Sequence, residues 1–361
     1  MMRIAFAAAT MFLAGCSSQS TIGYYWQSVT GHLAVMNAAK PISQWLDDAS
    51  TPETLKEKLR LVTQIRQFAS SQLALPDNKS YTKYADLKRP SVVWNVFATE
   101  ELSMKLKTWC FPVAGCVSYK GFYAEGDAQA YATALREEGL EAYVAGIPAY
   151  STLGWFDDPV LNTFINYPDG ELARLIFHEL GHQVLYVKND STFNESFATA
   201  IEELGLQRWL AAMPPSAADP QKREKMLASY TEFSQRKLDF VALLKRQRVA
   251  LEAVYAKTDD SNEVKRAGKL AVFQNLQDDY QALKRQWGGY PGYDRWFSQK
   301  LTNAHLASVA TYTDGVPGFR ELLKKEGNDL GKFYMAAKLL SEKDRAERNK
   351  LLGIVEPVKS N

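Results

Sequence analysis

Cysteine and histidine are scarce in this chain, three and four among 361 residues. Setting Cys16 aside leaves Cys110 and Cys116, an even pair in a turn-rich stretch that reads as one local disulfide. No cluster of Cys and His is left to furnish a second metal site. An excess of one charge is also lacking: 43 basic against 41 acidic side chains give a formal +2, which removes any bulk electrostatic preference for nucleic acid or acidic lipid. The basic clusters at 222–225 and 245–248 lie in helical settings and read as solvated helix faces. The N-terminal apolar stretch, Ile4 to Leu13, falls well short of the roughly 20 residues a membrane-spanning helix needs. No internal repeat or low-complexity tract stands out. What remains is a chain 46% hydrophobic and 12% aromatic, able to bury a large core or two lobes.

Against that scarcity, His178 and His182 frame Glu179-Leu180-Gly181 in an H-E-x-x-H pattern. Its chance occurrence in a chain of this composition is about 0.3%, so coincidence is a weak explanation. Residues four apart share one face of an α-helix, where two imidazoles can grip one metal ion while the Glu beside them holds a water. The flanks support a helix: Asp169 offers an N-cap, Glu171 falls in the first turn, and Leu172, Leu175, Ile176, Leu180, Val184 and Leu185 recur at three and four.

Catalytic zinc takes three protein ligands and leaves a position open. A third His at the spacing of the H-E-x-x-H-x-x-G-x-x-H proteases is excluded, because Leu185 and Lys188 occupy the Gly and His positions. A carboxylate is left. Glu195 opens a second helical pattern with Phe193, Phe197, Ile201 and Leu204, after a turn-like segment at 188–191 that can return it antiparallel to the first helix. Glu202 and Glu203 are rivals, with Glu202 reading either as a ligand or as a carboxylate that supports one.

The H-E-x-x-H together with Asn194-Glu195-Ser196-Phe197-Ala198 resembles the zincin peptidases whose third ligand is Glu, and the second segment is similar to the N-E-G-F-A of the aminopeptidase N group. A closer likeness covers nearly the whole mature chain. The runs LPDNKSY, RPSVVWNVFATEELS, WCFPVAGCVSYKGFY, AYSTLGWFDDP and NAHLASVATY are similar to a bacterial family of zinc aminopeptidases predicted to be lipoproteins. The resemblance implies a zincin-like core, Zn2+ held by His178, His182 and Glu195, Glu179 as catalytic acid and base, and peptides as substrates. The chain departs from aminopeptidase N in a shorter gap before the ligand Glu, in Ser196 where that group has Gly, and in lacking a G-A-M-E-N-like amine-binding segment. Metal binding therefore transfers and exopeptidase specificity does not.

In such chemistry zinc polarises the scissile carbonyl and activates water, while Glu179 relays the proton to the leaving amine. Glu-type zincins commonly use a Tyr or His from a later segment to stabilise the oxyanion, which by resemblance makes His305 and Tyr312 candidates. His305 also reads as a hydrogen-bonded core residue, and most of the 18 tyrosines will simply pack. Asp157 and Asp158 could attract a substrate amino terminus and are left outside the site. The alternatives are a zinc endopeptidase and a non-catalytic, lipid-anchored binding or scaffold protein on a zincin fold. The intact Glu179 favours an enzyme.

The leader has Arg3 before the apolar stretch, and Leu13-Ala14-Gly15-Cys16 resembles a bacterial lipobox. The resemblance to lipoproteins implies a signal peptide over 1–15, lipidation of Cys16 and a membrane anchor, with Ser17 favouring the outer membrane facing the periplasm. An ordinary secreted protein with a free Cys16 is the alternative.

The expected architecture is α+β and predominantly helical. A helical region spans 16–90, with a helix at 52–75 capped by Thr51. A zincin-like core follows over 91–212, with strands at 91–97, 117–123 and 142–146, a helix at 127–138, and a sheet edge at 149–156 lining the cleft. Charged helical patterns at 219–257 and 262–286 predict a hairpin within 213–290, and helices around 296–312 and 328–340 fill a carboxyl-terminal lobe over 291–361.

Overall fold

The computed structural model describes residues 21–111, 115–213, 220–309 and 315–354, so the leader with Cys16, and Tyr312, lie outside the described residues. The chain enters through α1 (Thr21–Ala38), β1 (Lys40–Pro41), α2 (Ile42–Asp47) and α3 (Glu53–Leu73). It then lays down β2 (Lys83–Ala85), β3 (Val93–Thr99), β4 (Trp109–Phe111), β5 (Gly115–Val117), β6 (Lys120–Phe122), α4 (Glu125–Glu137), β7 (Glu141–Ile147) and β8 (Val160–Leu161). From there the described residues are helical: α5 (Asp169–Val184), α6 (Ser191–Ala212), α7 (Lys222–Tyr255), α8 (Asn262–Gln286), α9 (Asp294–Phe297), α10 (Asn303–Ser308), α11 (Val316–Lys325), α12 (Leu330–Ser341) and α13 (Arg345–Leu352). Helices thus dominate a fold with small sheets, the α+β character expected.

The three strands expected around 91–147 form one antiparallel sheet in the order β6-β3-β7, with Trp94 opposite Phe122 and Val96 opposite Val144. Its Trp94, Val96 and Phe122 pack on Ala128, Ala132 and Leu135 of α4, small and branched residues that let the helix lie close. A second sheet joins β2 to β1 antiparallel and to β8 parallel, and β4 pairs with β5, where Cys110 faces Cys116 and the two are disulfide-bonded.

Four local expectations are corrected. Residues 149–156 are loop and no sheet edge, because Leu153 and Gly154 have consecutive positive φ of 57° and 82°, a geometry no pleated strand accommodates. Thr51 does not cap α3: Pro52 stands at the N-cap without a side-chain bond, its fixed φ suiting the chain to helix entry, and Thr51 is buried. Asp169 lies inside the first turn of α5 and bonds Lys58 Nζ at 2.8 Å instead of capping. The helix expected over 296–312 is divided, with Thr302 and His305 forming a capping box that starts α10 anew.

The main core gathers α3, α5, α6, α11 and α12 around Leu59, Ile65, Phe177, Phe197, Phe319 and Phe333. The α7–α8 hairpin has its own core, with Leu243, Leu251, Leu276 and Tyr280 meeting Phe297 and Leu306. Among the described residues no helix is long and apolar enough to cross a membrane.

Candidate metal centre

Helix α5 buries Leu172, Ala173, Ile176, Phe177 and Leu180, an apolar stripe that leaves His178 and His182 facing Glu195 of α6. The return is built from the residues beside Glu195. Asp190 caps α6 by accepting from Phe193 N at 3.2 Å, and its other oxygen pairs with Arg348 Nη2 at 2.8 Å. Asn194 clamps the connection from both sides, accepting from Val187 N at 2.7 Å and donating to Val187 O at 2.8 Å. The two helices approach closely at Gly181, where an added Cβ would meet Ala198 Cα at 3.4 Å and Ile201 Cδ1 at 3.3 Å. Ser196 is buried and its Oγ accepts from Gly315 N at 3.1 Å, tying the start of α11 to the centre.

This scaffold brings His178, His182 and Glu195 together, with one donor atom from each inside a 4.8 Å group. His178 Nε2 lies 3.2 Å from Glu195 Oε2, and His182 Nε2 lies 3.6 Å from Glu195 Oε1. Donors at about 2.1 Å from a tetrahedral ion stand about 3.4 Å apart, a spacing these two distances bracket. Two imidazoles and one carboxylate are also the right donor chemistry for such an ion, so the residues fit a metal.

Glu202 stands behind this group. Its Oε2 lies 2.8 Å from His178 Nδ1, off the angle of a regular hydrogen bond, and its Oε1 accepts from Arg174 Nη1 at 2.8 Å, with Arg174 Nε held by Glu171 at 2.8 Å. That contact reserves Nε2 of His178 for the ion side and orients the ring. Glu203 points elsewhere, to a two-pronged pair with Arg320 at 2.6 and 2.7 Å.

Glu179 is 9% exposed, and burial raises its pKa to about 7, with His178 opposing and Glu195, Asp158 and Glu202 reinforcing. For His182, burial and then the neighbouring His178 charge lower the pKa to about 4. Burial also disfavours charge on Glu202, but Arg174 and His178 outweigh it and hold the pKa near about 2.

The fold also gives a place to Asp158, left outside the site on sequence grounds, and to several tyrosines. Asp158 is 3% exposed, accepts from Thr152 N at 2.9 Å, accepts from Tyr81 N at 2.6 Å through its backbone oxygen, and has no cation partner among the described residues. Burial raises its pKa to about 6. Tyr81 is buried where the charges of Glu179 and Asp158 act on its phenol. Tyr119 and Tyr186 feel the charge of Glu195. The 78–81 segment is pinned to α5, since Gln183 accepts from Asn78 Nδ2 at 2.7 Å and donates to Ser80 Oγ at 3.2 Å.

His305 is not brought to this group. Its ring lies tilted against that of Tyr143 at 3.9 Å, its Nδ1 accepts from Thr302 N at 3.1 Å, and it lines a cavity of about 470 Å³ with Arg136, Glu141 and Gln299, to which none of His178, Glu179, His182 and Glu195 contributes. Burial and Arg136 lower its pKa to about 4. It was a candidate by residue type and chain order, and its place is a helix-capping one; Tyr312 lies outside the described residues.

The centre implies a pH dependence for metal uptake. Burial opposes charge on His178, yet Glu202 and Glu195 outweigh it and raise the pKa to about 10, whereas an ordinary imidazole stands near 6.5. A metal ion must displace this proton, so apparent affinity rises with pH through the alkaline range. At pH 8, titration calorimetry in buffers of different ionisation heat is expected to show close to one proton released per ion, as an order-of-magnitude stoichiometry. No release, with affinity flat above neutrality, would mean that His178 is already neutral.

A family model described as "Putative aminopeptidase" matches residues 23–352, from the first turn of α1 to the end of α13. No curated protein and no solved structure matches the chain. Nearly the whole described fold, with the His178–His182–Glu195 group inside it, falls within that match, and the chain belongs to this aminopeptidase family.

Proposed function

We propose that the protein is a zinc-dependent aminopeptidase of the cell envelope, with a zincin-like core built on α5 and α6. The observation that carries this reading is Glu179, a buried carboxylate with a pKa of about 7 beside two imidazoles and a carboxylate spaced for one tetrahedral ion. Zinc held by His178, His182 and Glu195 supplies Lewis acidity toward a peptide carbonyl and toward water. Glu179 accepts the proton of the attacking water and returns it to the leaving amine. Glu202 keeps the His178 ring in one orientation, and Tyr119 and Tyr186 offer hydroxyl donors on the Glu195 side for charge developing on the carbonyl oxygen.

Asp158 supplies the feature that separates an aminopeptidase from an endopeptidase. It is a buried carboxylate with no cation partner among the described residues, near enough to Glu179 for the two charges to interact, and a substrate's free ammonium group would complete it. The Cys16 anchor sets the enzyme at the membrane, on the periplasmic face of the outer membrane, with peptides as substrates.

The test compares free-amine peptides with their N-acetylated forms. Wild type is expected to release amino-terminal residues from the former and to spare the latter. Asp158→Asn keeps an acceptor for Thr152 N but loses the charge, and is expected to raise KM for free-amine peptides about 10- to 100-fold, the worth of one charge-assisted hydrogen bond. Equal cleavage of acetylated peptides at internal bonds would favour the endopeptidase reading, and cleavage of neither a binding role.

A further inference from the structure

We infer that the outward face of α1, together with the tip of the loop before Asp158, is a membrane-seating surface that holds the enzyme against the bilayer to which Cys16 tethers it. The inference rests on the anchor at Cys16. Helix α1 contains no Asp, Glu, Lys or Arg. Its inner face is fixed to the protein: Tyr24 stacks on Phe111 at 5.4 Å, Gln27 Oε1 accepts from Tyr123 N at 3.0 Å, and Val35 is buried. The outer face leaves Tyr25 at 40%, Trp26 at 69%, Val29 at 56% and Leu33 at 47% exposure, a stripe at helical spacing.

A second segment joins it. The Phe156 ring lies 4.5 Å from that of His32, bringing the loop alongside α1, and leaves Trp155 83% and Phe156 49% exposed. Exposed aromatics gathered with only Asp157 beside them at the loop tip, and none of the four charged residue types on α1, are unusual on a water-facing surface, whereas Trp and Tyr are favoured at the boundary between headgroups and hydrocarbon.

Chain length selects the occupant. Thr21, where α1 begins, is five residues beyond Cys16, and five residues fully extended reach at most about 18 Å. A lipid on Cys16 therefore keeps the start of α1 within that distance of the bilayer surface. A helix of this kind lies in the interfacial plane with its apolar side among the headgroups, adding a second contact to the lipid anchor.

The test uses the mature, lipidated full chain in phosphatidylethanolamine–phosphatidylglycerol vesicles, with ordinary or brominated acyl chains. Brominated lipid is expected to quench tryptophan emission, and the quenched fraction should shrink in Trp26→Phe and again in Trp26→Phe/Trp155→Phe, with hydrolysis of soluble peptides unchanged in both variants. Mass spectrometry of the amino-terminal peptide reads the anchor separately. Acyl mass on Cys16 with identical emission in both lipids would overturn the seating surface alone, as would recovery of Trp26 in cross-links to a protein and not to lipid. Absence of acyl mass would remove the anchor and the inference with it.

Discussion

Glu179→Gln is expected to keep its metal and to lose about two to four orders of magnitude in kcat, the range that a positioned general base contributes. Glutamine has the same shape, so the packing of α5 is undisturbed, but its amide has no basic oxygen to take a proton from water. The wild-type carboxylate is held at about 7 mainly by burial, so at neutral pH it can both accept and return a proton. Its raised pKa also sets the sign of the acid limb: the base is protonated as pH falls, and activity falls with it. A bound cation moves that limb to lower pH. Because the substitution removes a buried charge, the metal-free variant should melt no lower than wild type. Metal analysis and steady-state kinetics on the same samples decide the matter, and full turnover by Glu179→Gln would refute the mechanism.

Glu195→Ala is expected to weaken metal binding by more than the roughly 10- to 100-fold that follows loss of a supporting partner. The substitution removes one of three donors, and the Glu195 side chain is 38% exposed, so the fold has little to lose. Glu202→Ala should show the opposite profile. Metal affinity falls within the 10- to 100-fold range as His178 loses its orienting carboxylate, but stability drops by about 1–3 kcal/mol because a buried acceptor of Arg174 is gone. Glu171 still holds Arg174, which keeps the loss from being larger. Chelator competition and melting of the metal-free proteins separate the two effects. Unchanged zinc affinity in Glu195→Ala with a collapse in Glu202→Ala would move the third ligand to Glu202.

The part of the site that was legible in the sequence is the part encoded locally. Two histidines one helical turn apart, and a Glu a short connection away, depend only on helix pitch and a tight return. Asn194 could be seen only as a flanking letter of a motif; its clamp on Val187 explains why an amide at that position serves the return to α6. Asp158, Tyr81 and Tyr119 come near the centre from distant parts of the chain, which no spacing rule reports, whereas Tyr186 follows His182 by only four residues. The loop at 149–156 illustrates the limit: alternating polar and apolar residues suit a strand edge, but Leu153 and Gly154 take the left-handed conformation and turn the chain so that Thr152 can hold Asp158. His305 shows the converse, a residue type with catalytic potential that the fold uses to start a helix.

The close approach of Gly181 to Ala198 and Ile201 acts as a calliper. The gap between the histidines of α5 and Glu195 of α6 is set by Gly181, the neighbour of His182, and by Ala198 and Ile201 farther along α6, residues whose side chains offer no donor to an ion. Selectivity among cations of different radius is then a property of helix packing as much as of ligand chemistry. A larger ion must pry the helices apart, and the resistance it meets is that of the whole core around Phe177 and Phe197.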